Sequence, residues 1–512
     1  MSLTDMKVFK DKFGYGGITP TTCRALRVKN DQANLRNELR WKDPEDTYIN
    51  GFLISTWAKT VIVRKAGSYP TDIVDGEIVV ENRVRNAYAE GFTDDNFQEG
   101  DNVADYFYKA FPVADTGAVS NNDLNQFKSI IVYGFKKSKT NLAPDTRIQY
   151  TDDAVGMAPA RMDFSADTFN YGDWGDTFIM ESFTPVMLNA DGTEVYELNK
   201  NNYAQKTDGS ASDITDSSKA YNAMMRVDLM YTHFSEDADY LYFKVANGKV
   251  DDTFRPLGFV DANGNESDRA YLRIYEGSLI SNKVRSLSGQ TLMNTQTSPN
   301  ERTYAQNNGS NWNKGTWAHR ALINALLQLI SCSSDSQTSF GRGHVDATSA
   351  NSVSSCLKTG TMNDRGMFWG SSASGKGVKV FGMENWWGNQ WERIEGCINV
   401  SGKMYLKDHA PYNDTASGYT ATGLTPTGTS GGYISKEVST EMGFLPIDAS
   451  GSGTTGECDG LWFNNGQTDV AFVGGGCNYV LLAGAEALNV SNAASASAWD
   501  VGASLSYVPL AA

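Results

Sequence analysis

Six cysteines stand at positions 23, 332, 356, 397, 458 and 477, and none is close enough to another for a Cys-x-x-Cys pair. That spacing reads as free buried thiols, with a zinc site or a disulfide framework as the alternatives. Four scattered histidines (His233, His319, His344 and His409) leave little material for metal ligation or general-base catalysis. Asp261-Ala262-Asn263-Gly264-Asn265-Glu266-Ser267-Asp268 has the look of a calcium loop, but its glycine comes one residue early for an EF-hand, so a solvated turn is expected. Glu384, Glu392 and Glu395 lie close together, and glycoside hydrolysis requires two carboxylates at a set separation. In a Trp-rich segment such a group is expected to be a structural hydrogen-bonding device. No Gly-x-Ser-x-Gly elbow or phosphate loop stands out, and Gly14-Tyr15-Gly16-Gly17 is too short and precedes no helical pattern. The residue types therefore favour binding over turnover, with no catalytic residue, cofactor or metal expected.

The scaffold must be sizeable. The chain has 512 residues, 40% of them hydrophobic, with 23 Phe, 24 Tyr and 11 Trp, which argues against disorder. At roughly 150 residues per domain the length suggests about three domains. The 49 glycines exceed the usual share and imply many turns, hence β-rich structure. A net charge of −16 repels phosphate backbones and anionic lipid, so nucleic acid is an unexpected partner. The most apolar stretch, residues 321–330, is half the length needed to span a bilayer and contains Asn324 and Gln328, so membrane insertion is not expected. The N-terminal segment lacks the apolar run of a signal peptide, which predicts synthesis in a cytoplasm without export by the standard route.

Residues 1–18 are polar and read as a tail or attachment segment. Residues 19–137 carry short β patterns: Thr60-Val61-Ile62-Val63-Arg64-Lys65, then Glu77-Ile78-Val79-Val80 after an Asp75-Gly76 turn, then Asp105-Tyr106-Phe107-Tyr108-Lys109-Ala110-Phe111 ending at Pro112. Strands at this spacing predict a β-sandwich. Residues 138–310 continue the theme as a β-rich middle region. A strand–turn–strand is expected around Asp191-Gly192, and Met225, Val227, Leu229 and Tyr231 are expected to line one strand face. Residues 206–219 should form a long surface loop, as should residues 414–432. Residues 317–332 are the one clear helix, with Trp317, Ala318, Ala321, Leu322, Ala325, Leu326, Leu329 and Ile330 recurring at three and four. Ile323 and Leu327 widen that stripe, so the helix should be packed on most sides.

Two resemblances follow. The segment from Trp41 to Asp46, the run Val61 to Pro70 and the strand at 105–111 together look like a fibronectin type III-like module, which implies a spacer or adhesive unit. In the last third, residues 377–392 (GVKVFGMENWWGNQWE), Gly443-Phe444-Leu445-Pro446, and Val473-Gly474-Gly475-Gly476-Cys477 continuing to Tyr507 resemble the C-type lectin-like fold in its formylglycine-generating-enzyme variant. That variant recurs in phage tail-tip and receptor-binding proteins, including the major tropism determinant class, and the stretch from about Gly134 onward resembles tail proteins of phages and prophages of gut bacteria. The resemblance assigns residues 311–512, with part of 138–310 as a possible addition, to a C-type lectin-like domain. The expected fold class is mainly β with few helices (α+β).

The resemblance also implies a function: a virion protein, a tail-fibre or receptor-binding subunit, made in the host bacterial cytoplasm and carried on the particle. Its expected partners are a host-surface glycan or protein and other virion proteins, and a homotrimer is the expected assembly. A capsid or neck fibre with weak glycan adhesion is the alternative, and a tail-borne glycan hydrolase a more remote one. Oxidase chemistry of the enzyme variant, which uses cysteines near this Gly-Gly segment, is not expected, because Cys477 stands alone without a nearby second thiol. The variable positions of the diversified relatives correspond here to Asn478, Tyr479, Leu481, Glu486, Asn489, Ser491, Asn492, Ala496 and Ala498, with Tyr479 the preferred contact as a rigid amphipathic anchor. Three local expectations accompany this. Gly388-Asn389 should make a turn that gathers three indoles into one core. Residues 489–497 should be a surface loop. Trp499, Val501, Leu505 and Tyr507 should alternate along one closing strand.

Overall fold

The computed structural model describes residues 19–49, 52–373 and 375–511. The expected N-terminal tail, residues 1–18, lies outside them. The chain is mainly antiparallel β, with four α-helices among the described residues. It divides into two compact units, one ending at Ile131 and the other starting at Val132.

The first unit is a sandwich. One sheet has three strands in the order Arg24–Asp31, Arg36–Lys42, Phe92–Asp94; the other has four in the order Glu77–Asn82, Trp57–Ala66, Tyr106–Ala114, Gln126–Phe127. Leu39 and Trp41 from the first sheet meet Ile62, Tyr108 and Phe127 from the second, and all five are buried. Val61, Val63 and Phe111 make a second cluster that Ile73 helps to cover. With Ile62 in the first cluster and Val61 and Val63 in the second, both faces of this strand are covered, which accounts for three consecutive apolar residues. Across the core Arg64 grips Asp94 at 2.9 Å through both carboxylate oxygens, and the Tyr108 hydroxyl donates to the same carboxylate at 2.7 Å.

The boundary expected at residue 137 is corrected. Val132–Ser138 is a strand of the second unit, paired with Ile148–Asp152 on one side and Tyr240–Ala246 on the other. The expected division at 310 also disappears. A seven-stranded sheet runs Asn202–Lys206, Glu194–Asn199, Phe183–Leu188, Asn222–Asp228, Arg269–Arg273, Leu505–Tyr507, Trp312–Lys314. Strands from the middle region and from the C-terminus thus share one ladder, and residues 132–512 form a single unit.

The strand-turn-strand around Asp191-Gly192 forms as expected, with Leu188 opposite Glu194. The strand Asn222–Asp228 departs from simple alternation. Ala223, Met224 and Met225 are all buried because both sheet faces are covered, and Tyr231 opens a different strand, Tyr231–Glu236. The Asp261 segment is a turn whose carboxylate is occupied by the backbone N–H groups of Asn263, Asn265 and Ala511.

Trp317–Ser331 is the long helix, and every one of its residues is buried. Thr316 caps it by accepting from the His319 N–H, and Cys332 ends it in a left-handed conformation. A second helix, Ser298–Gln306, lies in the middle region, where only strands were expected. Its apolar periodicity is weak in sequence, and its buried residues are Ser298, Glu301 and Ala305. Burial of Glu301 is possible because Arg393 bonds to it at 2.8 Å.

Candidate functional site

The candidate contact region rests on a third sheet, in which Trp391–Val400, Thr468–Val473, Leu488–Asn492 and Gly460–Phe463 lie side by side. The register sets Arg393 opposite Phe472, Phe472 opposite Asn489, and Asn489 beside Trp462. Register partners share a face, so these four residues line one side of the sheet. Trp391, two residues before Arg393, joins them. Trp391, Phe472 and Val501 are buried there, and Trp462, Tyr479, Ala494 and Ala498 pack on them from outside.

Two glycines bring Tyr479 to this face. After Val473 the chain turns through Gly474 and Gly475 at φ +85° and +81°, a region that disfavours side chains. A Cβ on Gly475 would fall 2.6 Å from that of Ala483. The Gly474 carbonyl accepts from Gly388 and Gly484, which folds the following loop back on itself. Residues 478–482 then form a short turn held by the Val480 N–H on the Val345 carbonyl at 2.9 Å and by the Gln337 amide on the Val480 carbonyl at 3.1 Å. The Tyr479 ring stands edge-on to Trp391 at 5.0 Å and to Trp462 at 5.5 Å, and the two indoles meet edge-on at 5.5 Å. Burial raises the Tyr479 phenol above its ordinary value and the Asp500 carboxylate adds to that, so the hydroxyl stays protonated at neutral pH.

The nine expected contact residues separate into groups. Asn478 and Leu481 are exposed, next to an exposed Val480, and Tyr479 is half-buried at the edge of the aromatic trio. Glu486 points inward: Asn324 and Gln328 of the long helix donate to its carboxylate at 3.0 and 2.9 Å. Glu486 is half-buried, with its carboxylate engaged by the helix. Asn489 belongs to the strand Leu488–Asn492, where a loop was expected, and is 9% exposed. Its side-chain oxygen accepts from the Ser491 hydroxyl at 2.8 Å and the Asn492 amide at 3.0 Å, leaving Ser491 and Asn492 half-buried. Ala496 and Ala498 hold the loop through their backbones. Arg393 donates to the Ala496 carbonyl at 2.7 Å, and the Thr295 N–H donates to the Ala498 carbonyl at 2.9 Å.

Three local expectations also change. The Gly388-Asn389 turn exists, with φ +72° and +61°, but it separates the indoles. Trp386 lies under Arg320, Trp387 packs on Phe340, and Trp391 joins Trp462 and Tyr479. The expected surface loop at residues 489–497 begins as part of the strand Leu488–Asn492. The single closing strand is two, Val501–Gly502 beside Trp391–Glu392 and Leu505–Tyr507 in the seven-stranded sheet.

The sequence reading missed the polar stripe that positions this region. Arg320, Asn324 and Gln328, spaced by four on the long helix, are all buried. Arg320 donates to the carbonyls of Trp386 and Ala485, Asn324 to Ala485, and Gln328 to Glu457 and Glu486. The Trp386 indole N–H returns a bond to the Asn324 side-chain oxygen at 2.9 Å. The i, i+4, i+8 spacing was the available signal.

The three clustered glutamates are structural. Glu384 accepts from the N–H groups of Gly360 and Met362, Glu392 is held by Arg273 and the Ser504 hydroxyl, and Glu395 by Arg302 and Lys314. Glu384 and Glu395 are buried and Glu392 is half-buried. No protein-family model matches the sequence, and no curated protein matches it.

Proposed function

We propose that this chain is a bacteriophage virion protein, a tail-fibre or receptor-binding subunit that adheres to the host surface through its C-terminal unit. The first unit serves as a fibronectin-like spacer, and residues 132–512 act as a C-type lectin-like head. The observation that carries this reading is the turn at residues 478–482, which presents exposed Asn478, Val480 and Leu481 beside half-buried Tyr479 and Trp462 on a backbone tied down from below. Such a turn loses little conformational freedom on binding. Aromatic rings with a polar edge suit the C–H faces and hydroxyls of a surface glycan, and Asn478 supplies an amide for hydrogen bonding. Many copies on one particle would add avidity to weak single sites. The resemblance of residues 377–392 and 473–507 to phage tail proteins supports the same reading.

The test is binding of the purified full-length protein to whole cells and isolated cell walls of gut bacteria. Saturable binding is expected to at least one wall preparation, with Tyr479→Ala weakening it about 10- to 30-fold, as for an interface anchor, in a variant that stays folded. Binding to walls that is indifferent to Tyr479 and Leu481 substitutions would remove this turn from the interface. Absence of binding to any wall or cell would overturn the adhesion reading.

A further inference from the structure

Cys356 and Cys477 are 121 residues apart in sequence, yet their sulfurs approach to 4.0 Å. The expectation that Cys477 has no thiol neighbour is thereby corrected. A disulfide needs sulfurs about 2.05 Å apart, so closure requires a further approach of about 2 Å, within reach of side-chain rotation. Cys356 is half-buried and open to a small reagent, whereas Cys477 is buried behind it. The Cys356 thiol also lies 3.2 Å from the Asn389 carbonyl. The other four cysteines have no sulfur partner among the described residues: Cys23 meets the Thr60 hydroxyl, Cys332 the Ile148 carbonyl, and Cys397 and Cys458 are buried.

The backbone around the pair is already joined. The Ala347 N–H donates to the Cys477 carbonyl at 2.7 Å, and the Val480 N–H to Val345. On the other side His344 bonds the Ser355 carbonyl at 2.8 Å, and the Leu357 N–H donates to the Asn389 side chain at 2.7 Å. Closing the disulfide therefore needs no new docking of segments.

We propose that Cys356 and Cys477 form a reversible disulfide when the folded protein passes from a reducing cytoplasm to an oxidising medium, and that the bond locks the base of the turn at residues 478–482. The oxidant is a small-molecule disulfide. The Cys356 thiolate attacks one of its sulfurs, giving a mixed disulfide and releasing one thiolate, which takes up the proton that Cys356 gave to solvent. The Cys477 thiolate then attacks the Cys356 sulfur, displaces the second small thiolate, and that thiolate takes the proton from Cys477. Two protein thiols are oxidised by two electrons and one small disulfide is reduced to two thiols. The short Cys356–Cys477 contact places the Cys477 sulfur beside the Cys356 sulfur for the second step.

The experiment exposes the folded full-length protein to glutathione disulfide, blocks remaining thiols and maps peptides by mass spectrometry. The expected product has lost two hydrogens, carries one cross-link between the Cys356 and Cys477 peptides, and leaves the other four thiols unmodified until denaturation. Cys356→Ser, at a half-exposed position, should keep the Tm of the reduced protein and lose the cross-link. Cys477→Ser should accumulate the mixed disulfide on Cys356. Amide exchange at residues 478–482 should slow on oxidation and recover with reductant. A stable glutathione adduct on Cys356 of the wild type, or no reaction at Cys356, would overturn the disulfide. A cross-link that leaves exchange at 478–482 unchanged would overturn the lock.

Discussion

Glu276 shows how far burial can move a single carboxyl. It accepts from the side-chain amides of Asn385 and Asn389 at 2.8 and 2.6 Å and is 6% exposed. Burial pushes it up to about 8, against the opposing pull of Arg273 and the two amides. A raised carboxyl pKa means the folded state binds the proton more tightly than the unfolded chain. The contribution to stability is therefore greatest below about 4.5 and is lost as pH rises to about 8. Glu276→Gln keeps an acceptor and removes the titration. The stability of E276Q relative to wild type is expected to rise with pH across that window by at most about 1.4 kcal/mol per unit, and to level off above it, as read by urea denaturation at several pH values. A flat difference would show that Glu276 is not held protonated. Residue types alone gave no hint of this, because Asn385 and Asn389 come more than a hundred positions after Glu276.

The long helix and the Gly474-Gly475 turn together place the candidate contact turn. Asn324 has three partners, the Ala485 carbonyl, the Glu486 carboxylate and the Trp386 indole. Asn324→Ala is expected to cost about 1–3 kcal/mol, since it strands buried polar groups, with urea unfolding as the measurement; a loss under a few tenths would mean that water replaces the amide freely. Gly475→Ala should cost about 1–3 kcal/mol through its positive φ, and more if Ala483 cannot move from the added methyl. It should also weaken wall binding, because Tyr479 moves with the turn. Retention of full stability and binding by this variant would show that the turn has slack. The helix itself was legible from its 3.6-residue period. The Ser298–Gln306 helix was not, because its buried face is largely polar and its partners, among them Lys314, Arg393 and Asp414, come from elsewhere in the chain.

The molecule as a whole divides at Ile131, and residues 132–512 stay together as one unit. A fragment of residues 132–512 is expected to fold cooperatively, with dispersed amide NMR signals and one unfolding transition. A fragment of 311–512 should not, because Leu505–Tyr507 and Trp312–Lys314 would lose Arg269–Arg273, the link to the rest of their sheet. A well-folded 311–512 fragment would contradict the shared ladder.

Composition and local period determined the β-rich class, the helix at Trp317 and the turns at Asp191-Gly192 and Gly388-Asn389, because those depend on near neighbours in the chain. Tertiary structure decided the rest. The nine expected contact positions look alike in sequence, yet Glu486 turns inward to Asn324 and Gln328 while Asn478 stays in solvent. Cys356 meets Cys477, and strands on both sides of residue 310 become one sheet. In each case the deciding partner is far away along the chain, and burial and hydrogen-bond satisfaction, unlike periodicity, are settled only when such partners meet.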